Sequence, residues 1–170
     1  HPAFCHSPSC LAGFRGYLKN RYKTVAALNA AWQSEYAEFD AITPWLPAEV
    51  NARIERLARG EAQSLVPYLD HCLYVESVVA DFMGFCEQAV GGAFGMGLSG
   101  TYSPGGASFV GTDWWKLVGK RKMRAVSTYG GAQVDIIASF RQPEDFVTRW
   151  IGYDIDAQNE KNHRQSTWRM

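Results

Sequence analysis

The chain has 170 residues, of which 46% are hydrophobic and 20% charged, a composition typical of a globular domain with enough apolar material for one core. Seventeen basic and seventeen acidic side chains cancel, so no net charge favours nucleic acid or an anionic membrane surface as a partner. No apolar run approaches the roughly 18 to 20 residues of a membrane span, and no signal peptide is predicted.

Two short helices are predicted near the N-terminus. Ser7 followed by Pro8 is typical of an N-cap and a first helical residue, after which apolar residues recur at three- and four-residue spacing. Thr24 is placed to begin a second helix. The apolar face of that helix consists of Val25, Leu28 and Trp32. Residues 38–47 contain two prolines and are predicted to form an ordered loop.

A polar helix is predicted over residues 49–62 and a longer one over residues 67–90, ended by Gly91 and Gly92. The residues predicted on the buried side of the longer helix are Leu69, Leu73, Val79, Met83 and Cys86.

The pattern changes after the paired glycines. Residues 93–102 are predicted as a buried strand, residues 113–117 as a helix start, residues 123–129 as a second strand, and residues 146–154 as a passage from helix to strand. Strands that alternate with helices predict a parallel α/β sheet.

A series of short motifs occupies residues 5–40. They are Cys10, Phe14-Arg15, Leu18-Lys19, Tyr22 with Thr24, and Leu28-Asn29 with Trp32. This order resembles the family 42 β-galactosidases, in which a cysteine cluster precedes Phe-Arg, Leu-Lys, a Tyr-Gly-Thr turn and Leu-Asn-x-Ala-Trp. The resemblance continues through the aromatic stretch 36–39 to Leu69-Asp70 and Tyr74, and beyond residue 90 it is only topological.

The resemblance implies a (β/α)8 TIM barrel. Such barrels take about 250 residues and rarely fewer than about 200, so this chain is expected to hold part of one, strands about four to seven with a helical insertion. Residues 1–92 would be a helical elaboration after barrel strand four, and residues 93–170 barrel βα units. Both ends of the sequence are expected to be cut, with the rest of the barrel in another segment or chain. The family also implies a homotrimer.

The carboxylates of a retaining glycosidase lie about 5 to 5.5 Å apart, one donating a proton and one attacking the anomeric carbon. The resemblance implies an acid/base glutamate upstream of His1, and a nucleophile at the end of strand seven, where this chain has Asp154. Asp154 is therefore the predicted catalytic residue, with a helix-capping role as its alternative and Glu160 as a second candidate. The chain alone is expected to lack the acid/base and to be inactive.

A structural zinc bound by several cysteines is a further feature that the resemblance implies. Cys5 and Cys10 match two ligand positions, Ser7 occupies another, and His6 offers a replacement donor. The predicted ligands are Cys5, His6 and Cys10, with a degenerate, metal-free cluster as the alternative. No other cofactor is expected, and Cys72 and Cys86 are predicted to be small core residues.

Aromatic residues make up 14% of the chain and suit sites that bind sugar rings. The predicted substrate-binding residues are Tyr102, Trp114 and Tyr129, with packing in the core as the alternative for each. Neighbouring helical residues face different directions, so at most one of Trp114 and Trp115 is expected to reach a sugar.

The sequence therefore predicts a glycoside hydrolase of the β-galactosidase class that acts on β-glycosides. Its partner would be a carbohydrate substrate, with neither nucleic acid nor a membrane as partner. The alternative is a non-catalytic carbohydrate-binding or structural module that has lost the acid/base position. The sequence indicates neither the sugar nor the cellular compartment.

Overall fold

The computed structural model describes residues 6–62, 64–94, 100–103, 113–120, 122–128 and 132–149. Five α-helices lie in these ranges: α1 (Pro8–Tyr22), α2 (Val25–Trp32), α3 (Pro47–Ala58), α4 (Val66–Phe94) and α5 (Ala132–Phe140). The strands are β1 (Gly100–Ser103), β2 (Ala125–Thr128) and β3 (Phe146–Arg149), and the short helical turns are a 3-10 helix (Phe39–Ala41) and a π-helix (Trp115–Gly119).

The described residues fall into two compact units that divide within α4. The N-terminal unit contains the described residues up to Val79, and the C-terminal unit those from Ala80 onward. Within the described ranges, none of the helices is both long enough and apolar enough to cross a membrane.

The first two helices begin where the sequence predicts. The Ser7 hydroxyl accepts a 3.3 Å hydrogen bond from the backbone N–H of Cys10, and Pro8 is the first residue of α1. The Thr24 hydroxyl accepts a 3.1 Å hydrogen bond from the N–H of Ala27 at the start of α2. Each cap satisfies a backbone donor that has no partner inside its helix, which confirms both predicted helix starts.

The core of the N-terminal unit joins α1, α2 and the 3-10 helix. Its buried members are Phe14, Leu18, Leu28, Trp32, Phe39 and Ile42. The loop that follows α2 is ordered as predicted, because the Arg15 guanidinium donates a 2.9 Å hydrogen bond from Nε to the carbonyl oxygen of Ile42. That bond attaches the loop to α1.

The predicted end of the long helix is wrong. α4 continues through Gly91 and Gly92 to Phe94. A glycine ends a helix when it adopts a left-handed conformation just beyond the last turn, and among the described glycines only Gly60 has a positive φ, at 81°. Two glycines with helical geometry weaken a helix by roughly 1 kcal/mol each without stopping it.

The buried side of α4 also differs from the prediction in the N-terminal unit. Leu69 was expected inside, yet 53% of its surface is exposed, whereas Asp70 and His71 are 1% and 3% exposed. The polar pair occupies the inward face because hydrogen bonds and aromatic contacts compensate for its burial.

The expected partial (β/α)8 TIM barrel is wrong. The described residues are mostly helical, and their sheet has three parallel strands of four residues each, in the order β1-β2-β3. Of the predicted strand 93–102, residues 93 and 94 belong to α4 and residues 100–102 lie in β1, while residues 95–99 lie outside the described residues. Alternation of strand and helix signals along a sequence indicates parallel pairing, but it does not distinguish a small open sheet from a closed barrel.

The strands of the C-terminal unit pair in register, with Gly100 opposite Ala125 and Ala125 opposite Phe146. Buried side chains of this unit are Trp114, Leu117, Val118, Met123, Val126, Thr128 and Ile137. The predicted strand 123–129 is present as β2. The helix α5 has no counterpart in the sequence prediction. The residues predicted as a passage from helix to strand, 146–154, begin with a strand, β3, and residues 150–154 lie outside the described residues.

Candidate functional site

A pocket of about 230 Å³ opens in the N-terminal unit, beside the C-terminal end of α2. Its lining combines three aromatic side chains, one arginine and two serine hydroxyls with smaller contributions from α4 and the preceding loop. The lining residues are Trp32, Gln33, Ser34, Tyr36, Trp45, Arg53, Ala62, Ser64 and Pro67.

The side chain of Asn29 shapes the wall that follows α2. Its amide Nδ2 donates to the carbonyl oxygen of Tyr36 at 2.8 Å, and its Oδ1 accepts from the backbone N–H of Tyr36 and the hydroxyl of Ser34, both at 2.9 Å. Gln33 ends the helix in the left-handed conformation, with φ at 57°. Because one amide binds both ends of this turn, Ser34 and Tyr36 are held at the rim of the pocket.

Trp45 and Arg53 line the pocket from the loop before α3 and from α3 itself. The Arg53 guanidinium carbon lies 4.0 Å from the centroid of the Trp45 ring, a cation–π contact that holds the two side chains together. Guanidinium has five N–H donors in one plane, so Arg53 can contact an aromatic face and still donate to a ligand hydroxyl. The pair adds a positive charge to a lining that otherwise combines aromatic and neutral polar side chains.

A buried carboxylate lies beneath the pocket. Oδ2 of Asp70 accepts hydrogen bonds from the Tyr22 hydroxyl at 2.5 Å and from the Trp32 indole Nε1 at 2.7 Å. Oδ1 of Asp70 pairs with Arg21 Nε at 3.1 Å. Burial and the hydrogen bond to Asp70 raise the pKa of Tyr22, so its hydroxyl stays protonated and remains a donor. Hydrogen bonding with Tyr22 and the charge of Asp70 raise the pKa of Arg21.

An aromatic cluster surrounds the second buried polar residue of α4. The ring of His71 lies 4.9 Å from that of Phe14 and 6.4 Å from that of Tyr74, centroid to centroid, with His6 at 6.2 Å. Burial, and then the proximity of His6, lower the pKa of His71 to about 4. His71 is therefore neutral near pH 7, which suits a packing role better than acid–base chemistry.

The structure describes only some of the residues that the sequence predicted for the site. Trp114 is 6% exposed in the C-terminal unit, while its neighbour Trp115 is 50% exposed. Tyr102 lies in β1. Tyr129 and Asp154, with the second catalytic candidate Glu160, lie outside the described residues. The substrate-binding and catalytic assignments therefore stay predictions.

The predicted zinc site also stays a prediction. His6 and Cys10 are described and Cys5 is not. Among the described residues, no three His, Cys, Asp or Glu side chains come close enough together to bind a metal ion. A structural zinc takes four ligands, of which the described residues contribute at most His6 and Cys10 of the predicted set.

Sequence reasoning missed the pocket itself. Trp45 was noted only as part of an aromatic, proline-containing loop, and Arg53 only as part of a polar helix. Their nearness depends on how the loop folds back onto α3, which no local pattern reports. The cation–π pair at spacing i, i+8 had no signal of its own in the sequence.

Comparison with known proteins bears on the half of the chain that contains the pocket. The family model of the glycoside hydrolase family 42 β-galactosidases matches residues 1–86 of the 170, a segment that includes every residue lining the pocket. The chain therefore belongs to this β-galactosidase family of glycoside hydrolases. No curated protein and no solved structure gave a significant match.

Proposed function

We propose that this chain takes part in the hydrolysis of β-linked galactosides, and that the pocket beside α2 binds a sugar ring. The observation that carries the proposal is the position of an aromatic, hydroxyl- and guanidinium-lined pocket inside the segment that matches the β-galactosidase family. A volume of about 230 Å³ is below the roughly 300 Å³ at which pockets for larger ligands begin and suits a single sugar ring.

The chemistry of the lining supports a sugar as the ligand. One face of a galactose ring presents C–H groups that pack against an aromatic ring, and its hydroxyls require donors and acceptors around the edge. Tyr36 and Trp45 offer the aromatic surfaces, while Arg53, Ser34 and Ser64 offer the polar groups. The positive charge of Arg53 gives no repulsion with a neutral sugar.

The proposed reaction, which the family relationship supports, is retaining hydrolysis with two carboxyl groups. One carboxylate attacks the anomeric carbon while the glycosidic C–O bond breaks, and the leaving oxygen takes a proton from the acid. The group that donated the proton is then a carboxylate and acts as a base. It deprotonates a water molecule, which cleaves the glycosyl ester. Asp154 is the proposed nucleophile, and the acid/base glutamate is proposed to lie outside the segment 1–170. No cofactor is needed for either step.

A second candidate function is carbohydrate binding without catalysis. The observation that favours it is the composition of the pocket, since none of the described side chains that line it is a carboxylate. A site that stacks and hydrogen-bonds a sugar without two carboxyl groups can bind but not cleave. Both functions predict that the pocket binds a sugar, and only the first predicts turnover.

Turnover is tested with two galactosides that differ in their need for an acid. Dinitrophenolate leaves without protonation, so a nucleophile alone should release it in a burst from dinitrophenyl β-galactoside, whereas methyl β-galactoside should stay intact. Asp154→Asn should abolish the burst. Release that is equal in wild type and variant would contradict the assignment of Asp154, and binding without any release would support the second candidate.

Binding is tested by titrating the chain with methyl β-galactoside in calorimetry or by chemical-shift mapping. Arg53→Ala should weaken binding by roughly tenfold, the loss of about one charged hydrogen bond. Arg56→Ala, which removes an exposed arginine from the same helix outside the pocket, is the matched control and should bind as the wild type does. Absence of binding to the wild type would overturn the proposed function of the pocket.

A further inference from the structure

Asp70 connects the pocket to the buried interior of the N-terminal unit. The residue belongs to α4 and is 1% exposed, and it is not among the side chains that line the pocket. Its Oδ2 accepts the 2.7 Å hydrogen bond from the indole of Trp32, which does line the pocket. An indole has a single donor, so this bond fixes the rotation of the ring.

Trp32 also makes two aromatic contacts. Its ring stacks on Phe14 at a centroid distance of 6.4 Å and an angle of 25°, and the ring of Tyr36 meets it edge-on at 6.1 Å and 79°. Both contacts are apolar, whereas the hydrogen bond to Asp70 is directional and selects one orientation of the indole.

Three donors contact the carboxylate of Asp70 and fix its position. Tyr22 donates to the same oxygen as Trp32, and Arg21 pairs with the other oxygen. Asp70 thus has two neutral donors on Oδ2 and one charged donor on Oδ1, so a shift of its side chain would break several bonds together. Pro67, one turn earlier in α4, also lines the pocket, so the same helix contributes directly to the wall and indirectly through Asp70.

We infer that Asp70 is a positioning residue for saccharide binding, acting through the indole of Trp32 without touching the sugar. This inference rests on the proposed function of the pocket. Removing the acceptor leaves the buried indole N–H without this partner, so the ring shifts to find another, and the wall that it forms with Tyr36 changes shape. The sugar must restore that shape when it binds, which lowers its affinity.

The test compares the dissociation constant of methyl β-galactoside for the wild type and for Asp70→Leu, which has the same branched shape and removes the acceptor. We expect binding to weaken by roughly tenfold or more. Leu18→Ala is the control for general loss of stability. Leu18 is fully buried in the same core, and its aliphatic side chain makes no hydrogen bond to the residues that line the pocket. This control should bind within about twofold of the wild type at a temperature where all variants are folded.

A double-mutant cycle separates positioning from a structural role. If Asp70 acts through the indole, Asp70→Leu should have no further effect on the dissociation constant in a Trp32→Phe background. An equal loss in both backgrounds, or a loss that Leu18→Ala reproduces, would overturn the inference.

A milder variant covers the case in which Asp70→Leu does not fold. Asp70→Asn replaces a charged hydrogen bond with a neutral one about half as strong, and binding should weaken by roughly threefold. An unchanged dissociation constant in a folded variant would then contradict the inference. Absence of binding to the wild type would instead contradict the proposed function of the pocket, so the two failures are distinguishable.

Discussion

The indole Nε1 of Trp32 donates a buried hydrogen bond of 2.7 Å to Oδ2 of Asp70, across 38 residues of sequence. Trp32 is the last residue of α2, and Asp70 lies in the first turns of α4. One bond therefore joins two of the helices that border the pocket, and both of its partners are almost completely buried. A polar bond at this depth contributes to stability mainly because leaving either group unpaired is costly.

The first prediction compares a buried with an exposed carboxylate. Asp70→Asn should lower the free energy of unfolding by about 2 to 4 kcal/mol, because it weakens bonds to a buried charge. Asp40→Asn is the control, since Asp40 is 64% exposed and pairs with Lys19 at 3.1 Å at the surface. The free energy of unfolding of Asp40→Asn should be lower than that of the wild type by at most about 1 kcal/mol. Urea denaturation measures both, and equal losses would contradict the prediction.

The second prediction concerns two glycines of α1. A Cβ at Gly13 would overlap the hydroxyl of Tyr74, whereas a Cβ at Gly16 would meet no atom within 4 Å. Alanine has the higher helix propensity, so Gly16→Ala should stabilise the chain by about 0.5 to 1 kcal/mol. Gly13→Ala should destabilise it by about 1 to 3 kcal/mol, because Tyr74 must move. Thermal denaturation that ranks the two variants in the opposite order would show that the contact is not present in solution.

The third prediction is a loss of stability in acid that depends on His71. The pKa of His71 is lowered to about 4 in the folded chain, below the ordinary value of about 6.5. The unfolded chain therefore binds a proton on this group at a higher pH than the folded chain does. Stability from the neutral imidazole is complete above about pH 6.5 and is lost as the pH falls toward 4.

Replacing His71 tests this pH dependence. His71→Phe keeps a ring beside Phe14 and Tyr74 and should remove that part of the slope of the unfolding free energy between pH 6.5 and 4. His6→Ala removes only the secondary cause of the lowered pKa and should keep most of the slope. Identical slopes in the wild type and in His71→Phe would show that other groups cause the acid sensitivity.

The fourth prediction lies in the C-terminal unit. The Asp145 side chain is 1% exposed, pairs with Arg124 at 3.5 Å and accepts a 2.8 Å hydrogen bond from the backbone N–H of Gln142 just before β3. Asp145→Ala should cost about 2 to 3 kcal/mol of stability, since it leaves buried partners unpaired. Asp81→Ala, which breaks an exposed pair with Lys122, should cost less than about 1 kcal/mol. Hydrogen exchange of β2 and β3 amides measures both, and protection unchanged in Asp145→Ala would refute the prediction.

The helix starts were predictable because their causes are local. Ser7 and Thr24 accept hydrogen bonds from residues three positions further along, so the sequence alone contains both partners. The end of α4 was not predictable in the same way. Whether Gly91 continues or stops a helix depends on the sign of its φ, and tertiary surroundings decide that sign.

The fold class failed for a related reason. Local signals placed β2 near its observed position but did not report how many strands join the sheet or whether it closes. Strand number and closure depend on contacts between distant segments. The barrel was inferred from a family resemblance whose motifs lie in the helical half of the chain, away from the strands.

The amino-acid sequence by itself determined the family, through motifs in residues 5–40 whose order the family model also matches, and the beginnings of α1 and α2. Only the tertiary structure decided the candidate site. The pocket brings together Trp32, Trp45 and Arg53 from three different segments, and Asp70 from a fourth holds the first of them. Side chains so far apart along the chain meet through packing and buried hydrogen bonds, and these are properties of the folded chain that no local pattern records.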